Sequence, residues 1–283
     1  PYTITNKMIT LVASISEKVG SINITNNIDK RPHLRKNNRI KSIHSSLKIE
    51  ANSLSLDEVN EIIDGKLVLG DKKEIQEVKN AYDAYEKIGS INPYDYNDLK
   101  KIHGIMTKYL IQESGAFRKG EEGVFDEDRC IFMAPPAKFV PDLMKQLFDW
   151  MKEEKDNIHP LILSSIFHYE FVFMHPFTDG NGRMARLWHT ALLSKWNKIF
   201  EYLPLESQIE KFQQDYYSAI SKCHIDSEST IFIEFMLEQI NNVLDDYSNQ
   251  FKENDEINSL NIKKLLDVME YGIHYSTIDL MSK

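Results

Sequence analysis

The stretch His175-Pro176-Phe177-Thr178-Asp179-Gly180-Asn181-Gly182-Arg183, followed by Met184-Ala185-Arg186, gathers the groups that phosphate chemistry needs. Asp-Gly and Asn-Gly are turn formers, so a loop ends and a helix begins at about Asn181. The backbone N–H groups of residues 180–183 then converge on one concave spot at the positive end of a helix dipole, which suits a phosphate. Glycine at 180 and 182 keeps a Cβ out of the way of an approaching ligand. Arg183 and Arg186 are three apart and share a helix face. Two guanidiniums there oppose the macrodipole by ~0.3–1 kcal/mol each, so they imply a polyanion such as a triphosphate tail. Asp179 is a hard oxygen ligand suited to Mg2+ between phosphates. His175, of a type that titrates near neutrality, suits a general base for a hydroxyl attacking phosphorus.

Two other ligand motifs overlap this stretch. Gly180-x-Gly182-x-x-Ala185, with Glu201 about 20 residues on, fits the loose dinucleotide fingerprint. The segment before it reads as a long helix and no βαβ series surrounds it, so that reading is outweighed. Asp179-x-Asn181 echoes a calcium loop, but Arg183 and Met184 stand where Asp/Asn and Gly are required. His168 and His189, on apolar helices, read as structural.

The elements that must position the loop are helical nearly throughout. Met8, Leu11, Val12 and Ile15 repeat at helix spacing, and the polar residues 23–38 follow as loop. Ile40, Ile43 and Leu47 mark a helix from Arg39 that stops near Ala51 and Asn52. Ser55 with Glu58 reads as a capping box. Residues 75–88 form an amphipathic helix ended by a turn at 89–93, and 95–112 are helical again. Residues 114–136 break the pattern: two short apolar runs flank an acidic turn at 126–128, a hairpin signature. Pro141 and Pro160 each open a helix, and the second is apolar almost all round, which predicts a buried central element. Helices follow the loop at 184–192, around 206–223 and around 230–247. The polar run from Phe251 reads as a linker, and two further short helices follow it, the first closed by Gly272. The fold class is therefore all-α with one β-hairpin.

Composition narrows the function classes. In 283 residues, 34 Lys+Arg against 43 Asp+Glu leave a net charge of −9, which argues against a dedicated nucleic-acid coat. Two cysteines exclude a disulfide scaffold and a four-thiolate zinc site, and they suit a reducing compartment. With no apolar run near the ~18–20 residues of a membrane span, and an opening unlike a secretory signal, a cytoplasmic protein is expected. The first residue is Pro1 rather than Met, so upstream sequence is expected.

The loop and its following helix resemble the signature of the Fic-domain family, His-x-Phe-x-Asp/Glu-Gly-Asn-Gly-Arg-x-x-Arg, at every specified position. With each residue type near ~5–7% of usage, a chance match is on the order of 10⁻¹⁰ per starting position. The resemblance covers roughly residues 5–250 and implies a helical bundle with a hairpin flap. It implies transfer of AMP from ATP to a Tyr, Thr or Ser hydroxyl of a target protein or of the chain itself. In that scheme His175 deprotonates the hydroxyl and Phe177 anchors the loop, with Thr178 among the nucleotide-binding residues. Asp179 coordinates Mg2+, and Gly180, Asn181 and Gly182 bind the α- and β-phosphates. Arg183 grips the β- and γ-phosphates and Arg186 the γ-phosphate. Tyr216 and Tyr217 meet the adenine, and Phe132, Met133 and Ala134 form the flap that docks the target.

Ser46-x-x-x-Glu50 resembles the family's inhibitory element, which implies that Glu50 pairs with Arg186 and blocks the γ-phosphate. Ala51 stands where the family usually has Gly or Asn after the Glu. The expected domains are 1–92, a helical unit carrying this element; 93–252, the catalytic core; and 253–283, which resembles the start of a truncated winged helix. DNA binding would need a complete winged helix beyond residue 283, and a homodimer or packing role is the plainer expectation for the tail. Two other functions fit the same residues: removal of AMP with Glu50 orienting water, and a nucleotide-sensing DNA-binding regulator.

Overall fold

A computed structural model describes residues 1–25, 32–126 and 129–268. The described residues form helices α1 (Asn6–Thr25), α2 (Pro32–Ile49), α3 (Leu56–Ile63), α4 (Lys72–Tyr85) and α5 (Tyr96–Met106). The antiparallel hairpin of β1 (Gly123–Asp126) and β2 (Arg129–Met133) comes next. It is followed by α6 (Val140–Glu154), α7 (Pro160–Met174), α8 (Asn181–Trp196), α9 (Leu205–Lys211), α10 (Gln213–Asp226) and α11 (Thr230–Val268). The fold is all-α with one hairpin among the described residues.

Two hydrophobic clusters share α7 as their common wall. Leu161, Ile162, Ile166 and Tyr169 face one cluster, built with α1, α10 and the start of α11. Leu163, Phe167, Phe171 and Met174 face the other, built with α2 to α6 and α8. That explains a helix apolar almost all round: each side buries in a different core. Helix α8 packs along α7, with Leu187 and Trp188 fully buried. The loop between them is thus pinned at both ends by core helices.

Several boundaries differ from those expected. Helix α2 starts at Pro32, so residues 32–38 are helical rather than loop. Proline is favourable in a first turn, and the polar residues are held by partners elsewhere: Asn38 Nδ2 donates to the Tyr202 carbonyl at 3.0 Å. Helix α5 stops at Met106, because the Thr107 hydroxyl bonds back to the His103 carbonyl at 2.7 Å and Tyr109 turns left-handed (φ 64°). The helix expected around 206–223 is broken at Phe212 into α9 and α10. The polar run from Phe251 continues α11 to Val268 instead of forming a linker. Residues 269–283, where the second short helix and most of the winged-helix resemblance fall, lie outside the described residues. The capping box is present, with Ser55 N–H donating to Glu58 at 2.8 Å and Glu58 N–H donating to the Ser55 hydroxyl at 3.3 Å.

Helix α2 closes in a Schellman arrangement: Ala51 N–H bonds the Lys48 carbonyl at 3.0 Å and Asn52 N–H the Leu47 carbonyl at 3.1 Å. The motif needs a left-handed residue after Glu50, and Ala51 supplies it at φ 65°. Alanine there carries a strain of about 1 kcal/mol. Ala51→Gly is therefore expected to raise the melting temperature by about 2–4 °C. An unchanged or lower melting temperature by calorimetry would contradict the strain.

Candidate functional site

The loop from α7 to α8 begins where α7 ends in a left-handed residue, His175 (φ 46°, ψ 60°). Gly180, also left-handed (φ 82°), precedes α8, and no side chain caps that helix. A Cβ at Gly180 would lie 3.1 Å from Thr107 Cγ2, so both conformation and space call for glycine. The Asn181 side chain clamps the turn: Phe177 N–H donates to its Oδ1 at 2.9 Å and its Nδ2 donates to the Phe177 carbonyl at 2.6 Å. Its amide is therefore spent on the loop, which leaves its backbone N–H for a ligand. Phe177 is fully buried and stacks on His103 at 3.6 Å.

Two residues that the sequence reading missed hold this frame. His103 accepts from Gly115 N–H at Nδ1 (2.9 Å), so its Nε2 carries the proton and donates to the Asp179 carbonyl at 2.9 Å. Arg118, 2% exposed, donates from Nε to the His175 carbonyl at 2.7 Å, and its other nitrogens reach the Gly120 and Pro135 carbonyls. It ties the end of α7 to the base of the flap. Nothing in spacing or composition marks either residue, because each acts through contacts distant in sequence.

The arginines are buried together. Arg183 pairs with Asp179 at 2.9 Å and lies 3.6 Å from Glu77, while its Nε and Nη1 have no hydrogen-bond partner. Arg186, 2% exposed, donates from Nε to the Ser46 hydroxyl at 3.0 Å. From Nη2 it donates to the Ser46 carbonyl at 2.9 Å and to Glu50 Oε1 at 2.8 Å. Its Nη1 is buried without a partner. The Glu50 carboxylate sits directly against Gly182, where a Cβ would collide with it. A carboxylate thus already faces the uncapped start of α8, the place where a helix favours an anion.

His175, Asn181, Gly182, Arg186, Tyr216 and Tyr217 line one cavity of about 400 Å3, with Glu50 and Phe132 also on its wall. That volume is of the size that small-ligand sites show. Tyr216 is buried, its hydroxyl 2.9 Å from His168 Nε2, while Tyr217 is about half exposed. Phe132 reaches the cavity from β2 and stacks on His224 at 4.2 Å. Met133 is exposed and Ala134 buried at the strand end. Thr178 and Asp179 do not line the cavity, and the Thr178 hydroxyl turns to Glu113. Burial, then the Arg118 charge, lowers the His175 pKa and keeps its imidazole neutral, the state a base requires.

Asp179 could hold a divalent ion. Its hydrogen bonds, from Gly180 N–H and Arg183, fall on Oδ1 and leave Oδ2 open. Among the described residues no cluster of three or more His, Cys, Asp or Glu could hold a metal alone. A single carboxylate supplemented by phosphate oxygens is a usual arrangement for Mg2+, so these residues fit that ion together with a nucleotide.

A helical bundle with one β-hairpin and a glycine-containing loop at the start of a central helix has known relatives. A Fic/DOC family model matches residues 93–193. The crystal structure of a Fic family protein from Desulfovibrio desulfuricans G20 is 40% identical, covers 100% of this chain and 85% of its own, and superposes with a TM-score of 0.85. The chain belongs to the Fic family. It is 28% identical over 219 residues to a protein adenylyltransferase Fic from Nematostella vectensis, covering 72% of this chain and 48% of that protein. A probable protein adenylyltransferase from Aquifex aeolicus is 31% identical over 157 residues, covering 52% and 45%. The chain thus spans less than half the length of these two relatives. No described helix is long and apolar enough to cross a membrane.

The frame is sensitive to acid. Burial lowers the pKa of both His103 and His189 to about 4, against ~6.5 in an unfolded chain. Both are neutral when folded, so their stabilisation is complete above pH ~6.5 and is lost as the pH falls toward 4, by up to ~1.4 kcal/mol per unit for each group. Melting temperature should fall steeply across that window, and less steeply in His189→Gln. Parallel pH profiles for the two proteins would contradict the assignment.

Proposed function

We propose that this protein transfers AMP from ATP to a hydroxyl side chain of a target protein, or of itself, and is held inactive by Glu50. The observation that carries the reading is the Glu50–Arg186 pair, seated against Gly182 in a cavity that His175 also lines. The triphosphate lies along the start of α8, where first-turn N–H groups have no partner within the helix. Its γ-phosphate takes the position of the Glu50 carboxylate against Arg186. Arg183, whose Nε and Nη1 are unbonded, meets the neighbouring phosphate oxygens. Asp179, with Oδ2 open, would hold Mg2+, which when bound would supply charge neutralisation at the leaving group. The adenine occupies the part of the cavity beside Tyr216 and Tyr217.

His175 takes the proton of the target hydroxyl as that oxygen attacks the α-phosphorus. A new P–O bond forms, the bond to the β-phosphate oxygen breaks, and pyrophosphate leaves. Phe132, Met133 and Ala134, at the end of the flap, present the target's backbone to His175. With Glu50 in place the γ-phosphate is excluded and ATP cannot seat productively, which is the autoinhibition. Two cysteines suit a reducing compartment such as the cytoplasm.

Removal of AMP from a modified protein is the second reading. It is favoured by Glu50 lining the same cavity as His175, where a carboxylate could orient water. The domain division expected from sequence fits either reading: α2 carries the regulator and the core carries the chemistry.

Mass spectrometry of the protein after incubation with ATP and Mg2+ tests the proposal. Glu50→Gly should raise the +AMP adduct at least about tenfold over wild type, equivalent to ~1.4 kcal/mol, and His175→Ala should remove it. Equal labelling of wild type and Glu50→Gly would contradict autoinhibition. Loss of AMP from pre-modified target without ATP would favour the second reading.

A further inference from the structure

Arg186 has a second carboxylate behind it. Its Nε–H donates to the Ser46 hydroxyl at 3.0 Å. Ser46 also faces the Tyr85 hydroxyl, and Tyr85 donates to Glu206 Oε1 at 2.8 Å. Two hydroxyls thus separate the guanidinium from this carboxylate, Ser46 bonded on the side of the cation and Tyr85 on the side of the anion. The four residues come from α8, α2, α4 and α9 and are each at most 2% exposed. Thr190, one turn beyond Arg186, adds a longer contact of 3.4 Å to the same oxygen.

The two carboxylates differ in freedom. Glu50 is about one-third exposed at the cavity wall and can swing into solvent. Glu206 is enclosed and cannot leave. Arg39, another buried cation on α2, already has Glu201 at 3.3 Å and Glu86 at 3.7 Å. Burial raises the Glu206 pKa, and its hydrogen bonds, Tyr85 among them, together with the Arg186 charge oppose that rise. A buried guanidinium stripped of every anion would be strongly destabilising. Once Glu50 withdraws, and before a nucleotide arrives, Glu206 is the anion that remains.

We propose that Glu206 is the standing counter-charge of Arg186: through Tyr85 and Ser46 it keeps the guanidinium in place when Glu50 withdraws, and it competes with a terminal phosphate for that cation. Glu206 is thus a positioning residue that makes the open, nucleotide-free state accessible and sets how tightly it takes a triphosphate. The second part rests on the reading that Arg186 meets the γ-phosphate.

The test is a double-substitution cycle on the full chain, using Glu50→Gly, Glu206→Gln and the two combined. Glutamine keeps an acceptor for Tyr85 and removes only the charge. Without nucleotide, the combined variant should lose about 4 °C or more in melting temperature beyond the sum of the single losses, because only it leaves Arg186 with no anion. A non-hydrolysable ATP analogue with Mg2+ should bind the combined variant about threefold to tenfold more tightly than Glu50→Gly. AMP, which has no terminal phosphate to offer, should bind the two equally. A residue that merely held the fold together would give additive melting losses and weaker analogue binding, and either result overturns the proposal. If the combined variant does not fold on its own, the analogue with Mg2+, which supplies Arg186 with an anion, should recover it; no recovery while both single variants fold overturns the proposal. If Glu50→Gly binds no analogue at all, the nucleotide reading of the site fails, and the melting comparison alone decides the role of Glu206.

Discussion

A guanidinium enclosed where four helices meet needs anions and acceptors on every side, because an unmatched ion in such surroundings costs several kcal/mol. Arg186 is that group, and much of the local architecture follows from matching it. Ser46 supplies two acceptors and Glu50 supplies the charge. For Glu50 to arrive, α2 must end where it does, in a Schellman turn that forces a left-handed residue at 51. For its carboxylate to sit at the start of α8, residue 182 must lack a side chain. One ion pair therefore links the end of a helix early in the chain to a glycine 132 positions later (182 − 50 = 132).

The same constraint explains why α2 is polar yet deeply packed. Asn38, Arg39, Ser42, Ser45 and Ser46 are all buried on it, beside Ile40, Ile43, Leu47 and Ile49. Small hydroxyls allow close approach and bring their own acceptors, as in the Ser45–Ser207 contact at 3.1 Å. Polar anchoring along the helix leaves Glu50, the residue that follows it, at the cavity wall. The inhibition proposed for Glu50 would then be lifted by moving one side chain, with the helix staying docked.

The candidate loop was legible from sequence because its pattern is written locally. The turn glycines, the spacing of Arg183 and Arg186 and the histidine before them sit within twelve consecutive residues. The hairpin, the capping box of α3 and the apolar central helix were legible for the same reason: each is a short-range pattern with a direct physical cause. His103 and Arg118 were not, since a histidine on α5 and an arginine in a loop acquire their roles only when α7 and α8 are brought beside them. The start of α2 was hidden because buried partners such as the Tyr202 carbonyl make a polar segment helical. Thr107 and Tyr109 end α5 against a continuing apolar pattern. Nothing in the sequence marks Glu206, and its place near Arg186 emerges only from the packing of α2, α4 and α9.

The account rests on a carboxylate standing in for a phosphate, and titration calorimetry addresses that directly. ATP titrated with Mg2+ into wild type and into Glu50→Gly, each carrying His175→Ala to prevent turnover, should bind the Glu50→Gly protein at least about tenfold more tightly. Equal affinity of the two proteins for ATP would mean that Glu50 does not occupy the γ-phosphate position, and the central claim would be wrong.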